Sequence, residues 1–185
     1  MGHGWLYGLL YNVFMLSLLI IIISRNLLFF LFFWEITTLT SYFLIIWEYY
    51  ISTARRAGYS YFIFTHVLST LPLTIAIFLI HIRYHTLDIT LLRSIEPFDI
   101  VLYALLIIGC GSKTGIFPFH FWMPEAQLAA LSSISALISS GMNNVALYVL
   151  IRLLYLSSNV YVGYVIAGFR YYNNYFMHNN SFYTA

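Results

Sequence analysis

The chain has 185 residues, of which 62% are hydrophobic and only 8% are charged, and its mean hydropathy is +0.85. This composition excludes an ordinary soluble domain and indicates an integral membrane protein. The formal net charge of +2 is small and the arginines are scattered, so no surface for binding nucleic acid is expected.

Two transmembrane helices are predicted at the start of the chain. A bilayer core needs about 20 apolar helical residues, and the stretches Trp5–Ile23 and Leu27–Trp47 meet this requirement. The first run is too long for a cleavable signal and lacks a basic leader, so we expect it to be retained. The second run contains Glu35 in its interior. The segment Glu48–Gly58, which carries two adjacent arginines, is predicted as a loop.

A third span is predicted at Tyr59–His81. It contains His66 and Pro72, and the proline predicts a kink because it removes one backbone hydrogen bond. The charged stretch Arg83–Asp99 follows and is expected to be an extramembrane loop.

A broken fourth span and a fifth span complete the predicted bundle. Residues 100–121 form the fourth, interrupted near Lys113 because glycines and Pro118 disfavour a continuous helix. A turn is predicted at Met123–Pro124–Glu125, and the fifth span is predicted at Leu131–Tyr155. The fold class is therefore all-α integral membrane, with residues 1–159 as a five-helix unit.

The last segment, residues 160–185, is rich in aromatic residues and asparagine. It is expected to lie at the membrane interface or on a partner protein, with a poorly formed sixth span as the alternative. The arginines near the predicted span ends leave the orientation in the membrane open.

Lys113, the only lysine, lies in the apolar stretch LLIIGCGSKTGIFPFHFWMPEA. Burying a charge in this apolar setting costs roughly several kcal/mol of free energy, unless a partner of opposite charge or a hydrated cavity stabilises it. Broken helices at membrane depth are tolerated where they line such a cavity. Burial also lets a lysine lose its proton, whereas an arginine stays charged, so Lys113 is a candidate for reversible protonation.

Polar side chains recur at helical spacing inside three of the other spans, so each helix presents a polar stripe. We expect these stripes to face Lys113 and to enclose a hydrated path. The stripes comprise Glu35, Thr38 and Tyr42 in the second span, His66, Thr70 and Thr74 in the third, and Ser132, Ser135, Ser139 and Asn143, broadened by Ser140 and Asn144, in the fifth.

Each of these residues also has a purely structural interpretation. Intramembrane serine and threonine often bond to their own backbone and serve helix packing. His66 can be a satisfied buried histidine, His120 can be interfacial, and Glu35 can form a structural ion pair with Lys113 or an arginine. The sequence shows no Cys/His cluster with metal-ligand spacing, and the single Cys110 cannot form an internal disulfide. No metal or cofactor bound by the chain itself is expected.

Two segments carry a resemblance to a known family. The segment FFLFFWEITTLTSYFLI, with Trp34 and Glu35, resembles the acidic helix of the antiporter-like proton-pumping subunits of respiratory complex I. The segment Gly109–Arg152 resembles the same family, with a lysine after a glycine-rich turn, then PFHFWMPEA, then ISAL. Arg55–Thr70 is similar to related membrane subunits of energy-converting hydrogenases.

This resemblance implies a half-channel of five helices in which Glu35 is the paired carboxylate and Lys113 the central base, with His66 and His120 as further proton-transfer residues. It implies a subunit 2, 4 or 5 type component of NADH:ubiquinone oxidoreductase, in contact with other membrane-arm subunits and lipid. FMN, iron–sulfur clusters and ubiquinone are bound elsewhere in that complex. The location implied is the mitochondrial inner membrane, with the bacterial plasma membrane as the alternative.

The chain also departs from the family pattern. Members often carry a titratable residue on the helix after the lysine, whereas the matching positions are Ser139 or Asn144. We expect the chain to correspond to the first of two inverted five-helix repeats, so that either a separate chain supplies the second or the subunit is a reduced one. Two alternatives therefore stay open: a structural, non-pumping scaffold, and a cation/proton antiporter subunit.

Overall fold

The computed structural model describes residues 4–94, 98–116 and 119–156, and these ranges consist of helices joined by short connections. Four helices are long and apolar enough to cross a membrane, and one shorter apolar helix lies with them. The prediction of an all-α membrane fold is confirmed. The predicted tail at residues 160–185 lies outside the described residues.

The first two helices form a hairpin. Helix α1 (Gly4–Ile23) and helix α2 (Leu27–Ile45) are each about 30 Å long at 1.5 Å per residue, which matches the hydrocarbon core of a bilayer. Asn26 begins α2 as its N-cap, because its side-chain oxygen accepts the backbone N–H groups of Leu28 and Phe29 at 2.9 and 3.2 Å. A short 3₁₀ turn, Ile46–Glu48, follows α2.

Helix α3 (Ser52–Tyr84) begins earlier than predicted. Its 33 residues span about 50 Å, which exceeds the thickness of the hydrocarbon core. The prediction of a loop at Glu48–Gly58 holds for residues 49–51 and is wrong from Ser52 onward, because Arg55 and Arg56 lie in the first turns of this helix. The first turns of α3 are too polar to be recognised as part of an apolar span. The helix nevertheless begins there, before the apolar span starts.

The predicted kink at Pro72 takes the form of a widened π-turn just before the proline. The turn covers His66–Thr70, and the N–H of Leu71 bonds to the carbonyl of His66, five residues back. Pro72 has no N–H to give to the carbonyl of Leu68. That carbonyl instead accepts the hydroxyl of Ser112 at 2.9 Å, which ties α3 to the next helix.

Helix α4 (Ile100–Thr114) ends one residue after Lys113, as the glycines predicted. Gly115 adopts φ 68°, and the N–H groups of Gly115 and Ile116 bond back to Ser112 and Gly111 at 3.4 and 3.0 Å. This is a Schellman cap, which requires a residue in the left-handed region and therefore favours glycine. At about 22 Å, α4 is shorter than the hydrocarbon core.

The segment after the break is helical where a turn was predicted. Met123, Pro124 and Glu125 lie in the first turn of helix α5 (Trp122–Ala129), which corrects the prediction of a turn there. A proline is tolerated in this position because the first N–H groups of a helix have no partner within it. Helix α6 (Ser132–Tyr155) follows and contains a second, unpredicted π-turn at Ile138–Met142.

The connections on one side of the bundle are held together by backbone contacts. The N–H of Leu27 bonds to the carbonyl of Leu87 at 2.8 Å, and the N–H of Ile89 bonds to the carbonyl of Arg25 at 2.7 Å. The hydroxyl and backbone N–H of Thr90 both bond to Asp88 and lower the pKa of its carboxyl. The α1–α2 and α3–α4 connections therefore lie on the same side.

The core consists of two apolar clusters. One is built from α2, the second half of α3, α4 and the second half of α6, and the other from α1, the end of α2, α5 and the first half of α6. Large apolar side chains also cover much of the outer surface, such as Phe32 at 60% and Phe78 at 62% exposure. Such a surface suits contact with lipid.

Candidate functional site

Lys113 lies in the last turn of α4 and its side chain is buried, with 1% exposure. Its ammonium donates hydrogen bonds to the carbonyl of Trp34 at 3.1 Å and to the hydroxyl oxygens of Thr37 and Thr38 at 2.6 and 3.0 Å. An ammonium group has three N–H donors, so its hydrogen-bonding capacity is filled. All three acceptors come from α2.

Trp34 connects this lysine to two further helices. Its ring centroid lies 4.3 Å from the Lys113 nitrogen, which gives a cation–π contact. Its indole N–H donates to the hydroxyl of Ser69 on α3 at 3.0 Å, and that hydroxyl donates to the carbonyl of Gly109 on α4 at 2.6 Å. A Cβ at Gly109 would lie 2.6 Å from the Leu73 side chain, so this close approach requires glycine.

Glu35 is held by α3 and has no direct contact with Lys113. Its carboxylate accepts the hydroxyl of Thr70 and lies 3.1 Å from Nε2 of His66. The side chains of His66 and Glu35 are 35% and 26% exposed, and the imidazole packs on Phe62 with ring centroids 4.3 Å apart. Among the described residues, Lys113 and Glu35 form no ion pair within 4 Å, so the expected pair is separated in this conformation.

The acid and the amine are nevertheless linked through α2. Glu35 directly follows Trp34, the residue whose carbonyl and ring both contact the ammonium. Adjacent Cα atoms are about 3.8 Å apart. The carboxylate and the partners of the ammonium therefore come from adjacent residues of one helix.

The structure does not bring the polar stripe of α6 to Lys113. Ser132, Ser139 and Asn144 lie exposed on the outer surface of the described bundle. Asn143 is half-buried, and its amide lies 3.9 Å from the sulfur of Met123. Ser135 is half-buried as well. The π-turn at Ile138–Met142 shifts the register, so residues before and after it do not follow one straight stripe.

His120 and Thr74 also lie apart from the hydrogen bonds of Lys113. His120 precedes α5, and its ring stacks on Phe121 with centroids 4.7 Å apart. Thr74 is exposed and donates to the carbonyl of Thr70 in its own helix. No cluster of three His, Cys, Asp or Glu that could hold a metal ion occurs among the described residues.

Several residues of this site were not predicted from the sequence. Thr37 gives the shortest contact to the ammonium, Ser69 joins three helices, and the carbonyl of Ser112 accepts the indole N–H of Trp122 at 2.8 Å. Thr37 and Ser69 each stand one position before a residue of the predicted stripes. A backbone carbonyl such as that of Trp34 leaves no signal in a sequence.

Comparison with known proteins identifies the family. Residues 24–169 match the family described as "NADH:quinone oxidoreductase/Mrp antiporter, TM". The chain belongs to this family. It is 31% identical over 148 residues to hydrogenase-4 component B of Escherichia coli, a match that covers 78% of the chain and 22% of that protein.

Other relatives place the chain among antiporter-like subunits. A putative antiporter subunit mnhA2 of Staphylococcus epidermidis is 30% identical, over 81% of the chain and 20% of that protein. The solved structure of the membrane-bound sulfane sulfur reductase, an archaeal respiratory membrane complex, matches with a TM-score of 0.76 and 25% identity, over 82% of the chain and 32% of the matched one. The chain spans about a fifth of the length of these curated relatives.

Proposed function

We propose that the chain translocates protons as a membrane-arm subunit of a complex I-like NADH:ubiquinone oxidoreductase, with Lys113 as the central base and Glu35 as the acid that controls its charge. One observation carries this proposal. The only lysine is buried within the helical bundle on oxygens of α2, and one of these oxygens belongs to Trp34, which directly precedes the one acidic residue of that helix. Intramembrane ionisable residues are costly and typically serve ion pathways.

The mechanism is an electrostatic switch between two positions of Glu35. In the described conformation its carboxylate rests on His66 and Thr70 of α3, away from the ammonium. Movement toward Lys113 would stabilise the charged lysine, and return to His66 would favour loss of its proton. Each unit of pKa change corresponds to about 1.4 kcal/mol.

Threonine hydroxyl groups lie next to both the ammonium and the carboxylate. Thr38 contacts the ammonium and Thr70 contacts the carboxylate, so both can orient a proton or a water molecule. Nε2 of His66 lies 3.1 Å from the Glu35 carboxylate, and the imidazole is proposed as a further proton-transfer group. His120, at the break between α4 and α5, is proposed as a more distant contributor.

The driving reaction would take place in other subunits. FMN, iron–sulfur clusters and ubiquinone would be bound there, and this chain would bind none of them. Its neighbours would include a chain that supplies a second inverted repeat, together with lipid. The bacterial relatives fit a plasma membrane, and the mitochondrial inner membrane is the other location proposed for this subunit.

The test is proton translocation by the assembled complex in vesicles. Lys113→Ala is expected to abolish translocation, since the exchangeable proton is lost, and Lys113→Arg is expected to do the same because an arginine stays charged. Thr114→Val is the matched control, because its hydroxyl bonds to the Gly111 carbonyl of its own helix. Unchanged translocation by assembled Lys113→Ala would support a structural scaffold instead.

A second candidate, a cation/proton antiporter subunit, is favoured by the similarity to a putative antiporter subunit. The same vesicles separate the two functions. Proton movement that requires sodium or potassium on the opposite side would support antiport, whereas translocation driven by electron transfer without such a requirement would support the complex I-like function.

A further inference from the structure

Tyr61 of α3 lies fully buried at a point where four helices meet, with 0% exposure. Its ring packs on Trp122 of α5 with ring centroids 5.0 Å apart. Its hydroxyl lies 2.5 Å from the hydroxyl of Ser41 on α2 and 3.5 Å from the sulfur of Met142, in the π-turn of α6. A buried tyrosine hydroxyl usually finds a hydrogen-bond partner. This one has partners on two neighbouring helices, so Tyr61 fixes α3 against three others.

Ser41 connects Tyr61 to the residues that hold the ammonium of Lys113. The Ser41 hydroxyl donates to the backbone carbonyls of Thr37 and Thr38 at 2.5 and 3.0 Å. A serine hydroxyl has a single proton, so the Tyr61 hydroxyl is the donor to the Ser41 oxygen. The side-chain hydroxyls of the same two threonines accept the ammonium. All of these contacts are buried, because Ser41 and both threonines have 0% exposure.

Trp122 provides a second connection from Tyr61 to the lysine. Its indole N–H donates to the carbonyl of Ser112 at 2.8 Å, and Ser112 directly precedes Lys113 in the last turn of α4. The tryptophan is 1% exposed and packs on the Tyr61 ring. The backbone of Lys113 and the acceptors of its ammonium are therefore both held by side chains that contact Tyr61.

Two side-chain hydrogen bonds to α3 lie on either side of the threonine pair along α2. One turn before the pair, Trp34 donates to Ser69 at 3.0 Å. One turn after it, Ser41 accepts the hydroxyl of Tyr61. Residues three and four apart lie on one face of a helix, so both bonds and the threonines face the same neighbours. Loss of the second bond would leave this stretch of α2 joined to α3 at one end only.

We propose that Tyr61 is a positioning residue for Lys113. It does not touch the amine. It acts through Ser41, which fixes the turn of α2 that carries the acceptors of the ammonium. The importance of this position for transport rests on the proposed function, because the proton exchanged there is that of Lys113. The placement of the ammonium itself can be measured without any transport.

The experiment measures the rate at which acetic anhydride acetylates Lys113 in the assembled complex, by mass spectrometry of the peptides. Lys113 is the only lysine of the chain, so its product is readily assigned. Tyr61→Phe keeps the ring on Trp122 but removes the hydroxyl. It is expected to raise the acetylation rate roughly three- to tenfold, as expected for the loss of one hydrogen bond.

Ser41→Ala removes the other partner of the same bond and tests it independently of how well Tyr61→Phe assembles. Its acetylation rate should rise by a similar factor. The double variant should show no further increase, because both changes break one interaction and their effects are then not additive.

The matched control is Tyr7→Phe. The Tyr7 hydroxyl also pairs with a serine of another helix, Ser133 at 3.0 Å, but this pair joins α1 to α6 and lies at the exposed surface. Its acetylation rate should equal that of the wild type. The pH profile of acetylation separates positioning from a general loss of rigidity. Altered acceptors should change the shape of the profile in Tyr61→Phe, whereas looser packing would raise the rate by the same factor at every pH.

An acetylation rate of Tyr61→Phe equal to that of Tyr7→Phe, an unchanged profile shape, or additive increases in the double variant would overturn the proposal. Proton translocation is measured separately. If Lys113→Ala still translocates protons, the proposed function fails, and faster acetylation of Tyr61→Phe still supports the positioning role. If Lys113→Ala abolishes translocation while acetylation of Tyr61→Phe is unchanged, the proposed function stands and Tyr61 has no positioning role.

Discussion

At the residue scale, Glu35 depends on α3 for its position. Thr70 donates its hydroxyl to the carboxylate, and hydrogen bonds to charged groups contribute about 1.5–3 kcal/mol. Thr65, five residues earlier, is buried, whereas Thr70 is half-buried, and Thr65 bonds only to carbonyls of its own helix. The two threonines therefore allow a matched comparison on one helix.

Thr70→Val is expected to release Glu35 from α3 and to lower proton translocation roughly tenfold or more, since about 1.4 kcal/mol corresponds to a factor of ten. Thr70→Ser should retain the rate because it keeps the hydroxyl. Translocation in vesicles measures both. A Thr70→Val rate equal to that of Thr65→Val would show that this hydrogen bond has no part in the switch.

Ser69 is the second residue whose loss should reach Lys113 indirectly. Ser69→Ala removes the acceptor of the buried Trp34 N–H, and an unsatisfied buried donor costs about 1–3 kcal/mol. We expect a lower thermal unfolding midpoint and slower translocation, because Trp34 also contacts the ammonium. Ser17→Ala is the control, since Ser17 is equally buried but bonds to Phe14 of its own helix. Equal midpoints for the two variants would contradict the prediction.

Whether a contact of this site could be predicted from the sequence depends on whether a side chain or a backbone group makes it. Lys113 and Glu35 were predictable, because a charge in an apolar run is visible in the sequence. Their partners were not, since the carbonyl of Trp34 has no residue signature. Thr37 was not predicted, because the helical spacing of three residues from Glu35 indicates Thr38 instead. In the structure the ammonium of Lys113 donates to the hydroxyls of both threonines.

At the scale of the helices, the π-turns explain where periodicity failed. An i→i+5 turn inserts one residue, so a stripe at spacings of three and four is displaced across it. In α3, His66 and Thr70 still face Glu35 as their spacing predicted, and Thr74, beyond the turn, is the member of the stripe that lies exposed. The break after Lys113, by contrast, was predictable because Gly115 is a recognisable helix stop.

The cap at Gly115 gives a prediction for the broken helix. Gly115→Ala should cost about 1–2 kcal/mol, because φ 68° is unfavourable for a residue with a Cβ, and that Cβ would also press on the Met123 side chain. Gly111→Ala, in the interior of α4, meets nothing closer than Ile116 at 3.8 Å and should be neutral or stabilising. Thermal unfolding in detergent measures both, and a Gly115→Ala midpoint at or above that of Gly111→Ala would contradict the assigned cap.

At the scale of the whole molecule, one face differs from the rest of the outer surface. The exposed positions in the first half of α6, up to Asn144, are small or polar, in contrast to the large apolar side chains that are exposed elsewhere on the bundle. Interfaces between helices in membranes are rich in such residues. This set comprises Ser132, Ser133, Ala136, Ser139, Ser140 and Asn144. The face is suited to another helix, in keeping with the proposed partner chain.

Ala136→Phe is therefore expected to weaken assembly with the neighbouring chain. Overpacking a tight contact costs about 1–3 kcal/mol, which is roughly tenfold or more in an association constant. Val67→Phe on α3 is the control, because Val67 is 51% exposed and has room to point into lipid. Recovery of the intact complex after purification measures both variants. If Ala136→Phe assembles as well as Val67→Phe, this face of α6 contacts lipid, and the proposed partner must bind at another face.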